Sequence, residues 1–261
     1  MKTTRTLSLT LALVIGGTAV TFAQGMFGQQ PRDSGAQMAK IFGKNISFSA
    51  TVHMTTTQTG GRELPAMDMA YAVLDGKIRT EMDMTKMHGG PMRPEGIAQM
   101  KQMGMDRTVH IVLPEKKLMY MIYPGLKAYC EMSTAQKSGG TTAGKEPKIE
   151  RTDLGKETLD GHPCVKSKVT VTDENGRTFV SLIWQATDLN NLPVQTQMQP
   201  DDKTTVTMQF KDINASKPAA ALFEPPADYK RYGSMQEMMM NSMAPMMPRR
   251  GPPAVGGDPD N

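Results

Sequence analysis

The middle of the chain alternates apolar and polar residues with a period of two. In NISFSATVHMTTT (45–57), Ile46, Phe48, Ala50, Val52 and Met54 alternate with Ser47, Ser49, Thr51 and His53. That is the pattern of a strand with one apolar face, and it puts His53 on the polar one. MDMAYAVLDGKIRTEMDM (67–84) repeats the alternation around Asp75-Gly76, a dipeptide suited to the two-residue hairpin turn. TVHIVL (108–113) and LMYMIYP (118–124), joined through Pro114-Glu115-Lys116-Lys117, predict a second hairpin, and LKAYCEM (126–132) follows Pro124-Gly125. A polar, glycine-bearing loop, STAQKSGGTTAGKEPK (133–148), divides this half from the next. There CVKSKVTVTD (164–173), TFVSLIWQATD (178–188), LPVQTQM (192–198) and TTVTMQFKDI (204–213) resume the period, with Val206, Met208 and Phe210 on one face. Turn signals recur about every eight to twelve residues, which predicts an antiparallel meander rather than a βαβ protein.

Helix signals are few. Ser34 with Gln37 makes a capping box for a short helix ending near Gly43. PEGIAQMKQMG (94–104) fits about two turns with Ile97, Met100 and Met103 near one side. Ser234 with Glu237 forms a better box, opening SMQEMMMNSM (234–243) with Met235, Met238, Met239 and Met243 on a stripe. One extended sheet with one apolar face must close, fold over or be covered. The predicted fold is therefore mainly β (α+β): a single curved antiparallel sheet with a few short helices covering its concave side and an apolar cavity between.

Both ends of the chain read differently. Lys2 and Arg5 precede an apolar run, LSLTLALVIGGTAV (7–20), followed by Thr21-Phe22-Ala23, the composition of a cleavable signal peptide over 1–23. A flexible segment (24–33), a domain (34–232), a Met-rich short helix (233–244) and a disordered Pro/Gly-rich tail (245–261) complete the expected organisation. The mature chain carries no transmembrane segment, and the expected location is the periplasm, with secretion as the alternative. The formal net charge of +4 falls close to neutral once Lys2 and Arg5 are removed. Basic residues are interspersed with acidic ones, which excludes a nucleic-acid footprint.

The chain holds 25 methionines, and their arrangement raises the question of chemistry. If Asp75 and Gly76 are the central turn residues, Met69 faces Met82 and Met67 faces Met84 on one side, continuing the face of Tyr71 and Ile78. Two readings follow. Met67, Met69, Tyr71, Ile78, Met82, Met84, Val206, Met208 and Phe210 line a hydrophobic cavity, methionine being an adaptable wall residue. Alternatively Met67, Met69, Met82, Met84, Met87 and His88 hold a soft metal such as Cu(I). Cys130 and Cys164 allow a disulfide closing a loop of about 35 residues, the alternative being two buried free thiols. No HExxH, GxSxG, Walker or dinucleotide pattern occurs among the motifs, so no catalytic residues, cofactor or enzyme activity are expected.

The second half carries a resemblance. DLGKETLDGHPCVKSKVTV (153–171), SLIWQATDLNNLPVQTQM (181–198), VTMQFKDI (206–213) and ALFEPPADYKRY (221–232) resemble the periplasmic domains of unknown function related to LolA, the outer-membrane lipoprotein carrier. The anchors are Gly161-His162-Pro163-Cys164, Trp184, Leu192-Pro193-Val194, and Leu222-Phe223-Glu224-Pro225-Pro226 with Tyr229. The resemblance implies an open half-barrel whose apolar concave face takes acyl chains, and it brings no catalytic motif. The expected function is non-enzymatic binding of a lipid or acylated chain. The Met-rich C-terminal helix is free in this reading to dock on its own sheet or on a protein partner.

Overall fold

Twelve strands hydrogen-bond into one open, curved sheet. The computed structural model describes residues 46–87, 93–134, 148–172, 176 and 178–243. The expected signal peptide, flexible segment, Ser34 capping box and tail, together with His88, lie outside the described residues, as does most of the 133–148 loop.

The first half forms β1 (Ser47–Gln58), β2 (Arg62–Leu74), β3 (Lys77–Asp83), β4 (Arg107–Leu113), β5 (Leu118–Tyr123) and β6 (Ala128–Ser133). The second forms β7 (Lys148–Leu159), β8 (His162–Thr172), β9 (Thr178–Ala186), β10 (Leu192–Asp201) and β11 (Thr204–Asn214), and a short β12 (Lys230–Tyr232) ends the sheet. The order across the sheet is β12-β6-β5-β4-β3-β2-β1-β11-β10-β9-β8-β7. Two meanders therefore run outward in opposite directions from a central antiparallel β1–β11 pair, while β12 joins β6 in parallel.

Local chemistry explains the turns. Asp75 and Gly76 sit at φ 48° and 81°, and Asp160 and Gly161 at 51° and 84°. Both pairs have the left-handed geometry that matches the twist of a tight hairpin, at little cost to glycine. The β4–β5 and β5–β6 turns use another device: a proline opens a single 3-10 turn and a left-handed lysine, Lys117 or Lys127, closes it.

The two faces of the sheet are buried by different means. On one, Ala72, Leu74, Val109, Ile111, Leu113 and Ile122 pack around Phe223, with Tyr120, Tyr129 and Tyr229 at the margin. Phe223 comes from a 3-10 turn, Ala220–Phe223, in the segment between β11 and β12. That segment leaves mid-sheet and must reach the β6 edge, so it straps this face. The other face is rich in methionine and is described below.

Helices are peripheral among the described residues. α1 (Pro94–Gln102) buries no side chain, and Ile97, Met100 and Met103 are only half-buried. Just past its end comes Gly104, whose backbone lies against Gly125 of the β5–β6 turn. A Cβ on Gly104 would sit 2.8 Å from that backbone, and one on Gly125 2.6 Å from Gly104, so neither position accommodates a side chain. α2 (Met235–Met243) packs on β6 and β12. Ser234 Oγ accepts from the Glu237 amide at 3.1 Å, and Glu237 Oε2 accepts from the Gly233 amide at 2.9 Å, a close variant of the expected box.

The disulfide between Cys130 and Cys164 is not formed: both are buried free thiols. Cys130 lies on β6 and Cys164 on β8, and eight strands stand between them in the sheet. Bridging requires Cα atoms within about 7 Å. The sequence separation misleads because the chain between β6 and β7 passes from one flank of the sheet to the opposite edge.

Phe223 is 1% exposed. Phe223→Ala should cost about 3–5 kcal/mol, the range for truncating a buried aromatic, measured as a lowered midpoint in urea unfolding. Leu222→Ala, at a largely exposed neighbour, should leave the midpoint nearly unchanged.

Candidate functional site

The methionine face can be read row by row from the strand register. Asp75-Gly76 sets the β2–β3 pairing, so Leu74 opposes Lys77, Val73 opposes Ile78, Tyr71 opposes Thr80 and Met69 opposes Met82. Directly opposed residues share a face. Across the sheet centre, Val52 continues the Met69–Met82 row and brings in Phe210, and Met54 joins Met67 to Met208. Beyond β11, Thr196 opposes Met208 and Ile183 opposes Thr196.

The pairing of Met67 with Met84 expected from the hairpin does not occur. β3 stops at Asp83, whose carboxylate accepts from the Thr85 amide at 3.0 Å and turns the chain into a 3-10 turn, Met84–Lys86. On the other side of β2, Met67 opposes Met54 of β1. Met67, Met69, Met82 and Met84 are all buried, with Met67 fully enclosed. Tyr71, Ile78, Met208 and Phe210 are buried as well, while Val206 is half-buried. Met87 is half-buried, and His88 is outside the described residues, so the hairpin set is described only through its thioethers. Val52, Met54, Phe48 and Thr196 belong to the same face and were not singled out from the sequence. Met54 and Val52 were visible in the period of β1, but their junction with β11 carries no local signal.

Tyr71 stands at the centre. Its ring lies 6.1 Å from Phe48 and 5.5 Å edge-on from Phe210, and Phe48 and Phe210 are 6.0 Å apart. Among the described residues, neither the Tyr71 hydroxyl nor Thr196 Oγ1 has a hydrogen-bond partner, although both atoms are buried. Burial also pushes the Tyr71 phenol well above its ordinary range. Orphaned hydroxyls on an apolar face cost about 1–3 kcal/mol each.

Toward β6 the face changes character. His110 on β4 opposes Met121 on β5, and Met121 opposes Cys130 on β6. His110 and Met121 are half-buried, and Cys130 is fully buried. Apolar surroundings push the His110 imidazole down to about 4, which keeps it neutral at neutral pH. The Tyr123 hydroxyl donates to Met121 Sδ at 3.6 Å. Burial, then the neighbouring Cys130, raise the Tyr123 phenol to about 12. α2 covers the end of this region, with Met238 buried against Ala128 and Tyr232, and Met235, Tyr123 and Leu126 around them. The helix thus spends Met235 and Met238 on its own sheet, leaving Met240 exposed.

The other two described histidines serve surface pairs. His53 Nδ1 lies 2.6 Å from Asp68 Oδ1, and His162 Nδ1 2.8 Å from Asp188 Oδ2. A pocket of about 320 Å³ lies beside β7 and β8, lined by Lys156, Glu157, Thr158, Pro163, Cys164 and Thr187. In its wall Glu157 pairs with Lys166 at 3.3 Å and accepts from Trp184 Nε1, and the Lys166 ammonium sits 4.7 Å above the Trp184 ring. No three of His, Cys, Asp and Glu come together among the described residues, and no described helix is long and apolar enough to cross a membrane.

An open antiparallel half-barrel with a methionine-lined face is the class this architecture defines. The chain belongs to the family described as Domain of unknown function (DUF4412), whose model matches residues 48–205. Among solved structures, a LolA superfamily protein from Nitrosomonas europaea is similar at 10% identity and a TM-score of 0.34, covering 72% of this chain and 94% of its own. The Mycobacterium tuberculosis lipoprotein LppX is similar at 11% identity and a TM-score of 0.33, covering 72% and 95%. MucB is similar at 12% identity and a TM-score of 0.36, over 76% of this chain and 64% of MucB. No curated protein matches the chain.

The depressed pKa of His110 has a pH signature. As pH falls, the unfolded chain takes up the proton near the ordinary value of 6.5, and the folded chain only near 4. Stability from this group is therefore complete above about pH 6.5 and declines as pH falls toward about 4. Urea unfolding at pH 7 and pH 5 should show a larger loss in the wild type than in His110→Gln. The His110 ring resonance should titrate near the lower value by NMR.

Proposed function

We propose that the protein is an exported, non-enzymatic binding protein that holds a lipid or acylated chain on the methionine face. The observation that carries this reading is the pair of buried, unpartnered hydroxyls, Tyr71 and Thr196, set in an otherwise apolar surface. An apolar core alone has no need of them. A ligand with a long alkyl part and an ester or amide carbonyl supplies what each lacks. Its methylenes gain about 0.8 kcal/mol each on burial, and its carbonyl accepts from a hydroxyl that otherwise costs free energy.

The wall composition suits such a ligand. Methionine is unbranched and polarisable, so Met54, Met67, Met69, Met82 and Met208 can repack around chains of different length. A carrier benefits from a wall that accommodates without locking, because it must also release. The periplasm, as the destination of a cleaved signal peptide, is where such a protein would meet acylated cargo.

Two substitutions test the reading with a fluorescent fatty-acyl ester as probe. Tyr71→Phe should fold normally and weaken the ester by about tenfold, the value of one hydrogen bond in a dry site. It should leave an alkyl probe without a carbonyl unaffected. Val206→Glu, at a half-buried rim position, should weaken both probes. Failure of the wild type to bind either probe would refute the proposal.

A further inference from the structure

One row of the methionine face differs from its neighbours. The row Val73–Ile78–Val112–Met119–Met132 is apolar throughout, whereas the next reads Tyr71–Thr80–His110–Met121–Cys130. Its last three members stand on consecutive strands and offer an imidazole, a thioether and a thiol on the same side of the sheet.

We propose that His110, Met121 and Cys130 form a binding site for a monovalent soft metal ion, Cu(I). The site is distinct from the thioether cluster of the β2–β3 hairpin and shares no residue with it. Soft sulfur ligands with one imidazole select Cu(I) over harder divalent ions, and a d10 ion accepts three donors without a demanding geometry. His110 and Cys130 are two strands apart, about 10 Å along a sheet. An imidazole arm, a thiol arm and two metal–ligand bonds of about 2.0 and 2.3 Å are together comparable to that separation when the two side chains lean toward each other. Met121, directly opposed to both, supplies the third donor from between them. Met119 and Met132 occupy the adjoining row.

The surroundings fit the charge. Cys130 is fully enclosed, while His110 and Met121 are half-buried. Binding breaks the Cys130 S–H bond, forms a Cu–S bond and releases the proton to solvent, with no electron transferred. The thiolate and the monovalent ion together are neutral, which suits an apolar wall better than a divalent ion would.

The test is an anaerobic titration of the full chain with Cu(I) against bicinchoninate. One tightly held ion per chain is expected. Cys130→Ala and Met121→Leu should each weaken it by at least about tenfold, the scale on which changes at or beside metal ligands act. Cys164→Ala and Met67→Leu should leave it unchanged. Met121→Leu conserves volume, so its effect is readable even if Cys130→Ala folds poorly. X-ray absorption at the copper edge should show one nitrogen and at least two sulfur neighbours. Absence of a tight ion, retention of it in Met121→Leu, dependence on Cys164, or an all-sulfur shell would each overturn the assignment. The acyl-ester probe should bind Met121→Leu as it binds the wild type, which separates this site from the proposed lipid wall.

Discussion

The pairing of β1 with β11 is the contact on which the other features depend. Every other antiparallel pair in the sheet joins strands adjacent in sequence, and each could form as a local hairpin. Only β1–β11 joins the two meanders, and its register brings Val52 opposite Phe210 and Met54 opposite Met208. Without it the two halves would be separate ribbons, each with an exposed edge and half of an apolar face. With it, Phe48, Tyr71 and Phe210 meet as three mutually tilted or edge-on rings at the seam. Aromatic pairs of this kind add about 0.5–1.5 kcal/mol beyond their buried area. The seam is therefore both the mechanical join and the centre of the candidate site.

The two faces of the sheet solve different problems. The face under Phe223 is closed by the chain itself, which packs leucine, isoleucine, valine and tyrosine at fixed positions. The methionine face is lined by side chains with more rotatable bonds and includes hydroxyls without partners. A sheet that needed only stability would use branched aliphatic residues on both sides. The two faces thus differ in the flexibility of the side chains that line them.

Much of this was legible in the sequence. The period of two named the strands, and Asp75-Gly76 gave a register that holds from Leu74–Lys77 to Met69–Met82. The capping residues around Ser234 foretold α2. The misses have physical causes. β7 is exposed along nearly its whole length, so neither of its faces carries an apolar alternation to detect. The end of β3 depended on the Asp83 side chain turning the chain at Thr85, which hydrophobic pattern does not encode. The seam and the row from His110 to Cys130 are set by long-range order and by three successive hairpin registers. The Cys130–Cys164 expectation failed for the same reason, since proximity in sequence says nothing about the flank to which a long connection carries the chain.

The strap over Phe223 has a consequence for the order of assembly. Its docking surface is built from β2, β4 and β5, yet the strap follows β11, which the seam holds beside β1. Those strands are separated by about 150 residues of chain, and closing so long a loop delays contacts that reward it only afterwards. A segment that follows the second meander thus completes a layer whose other side is made by the first.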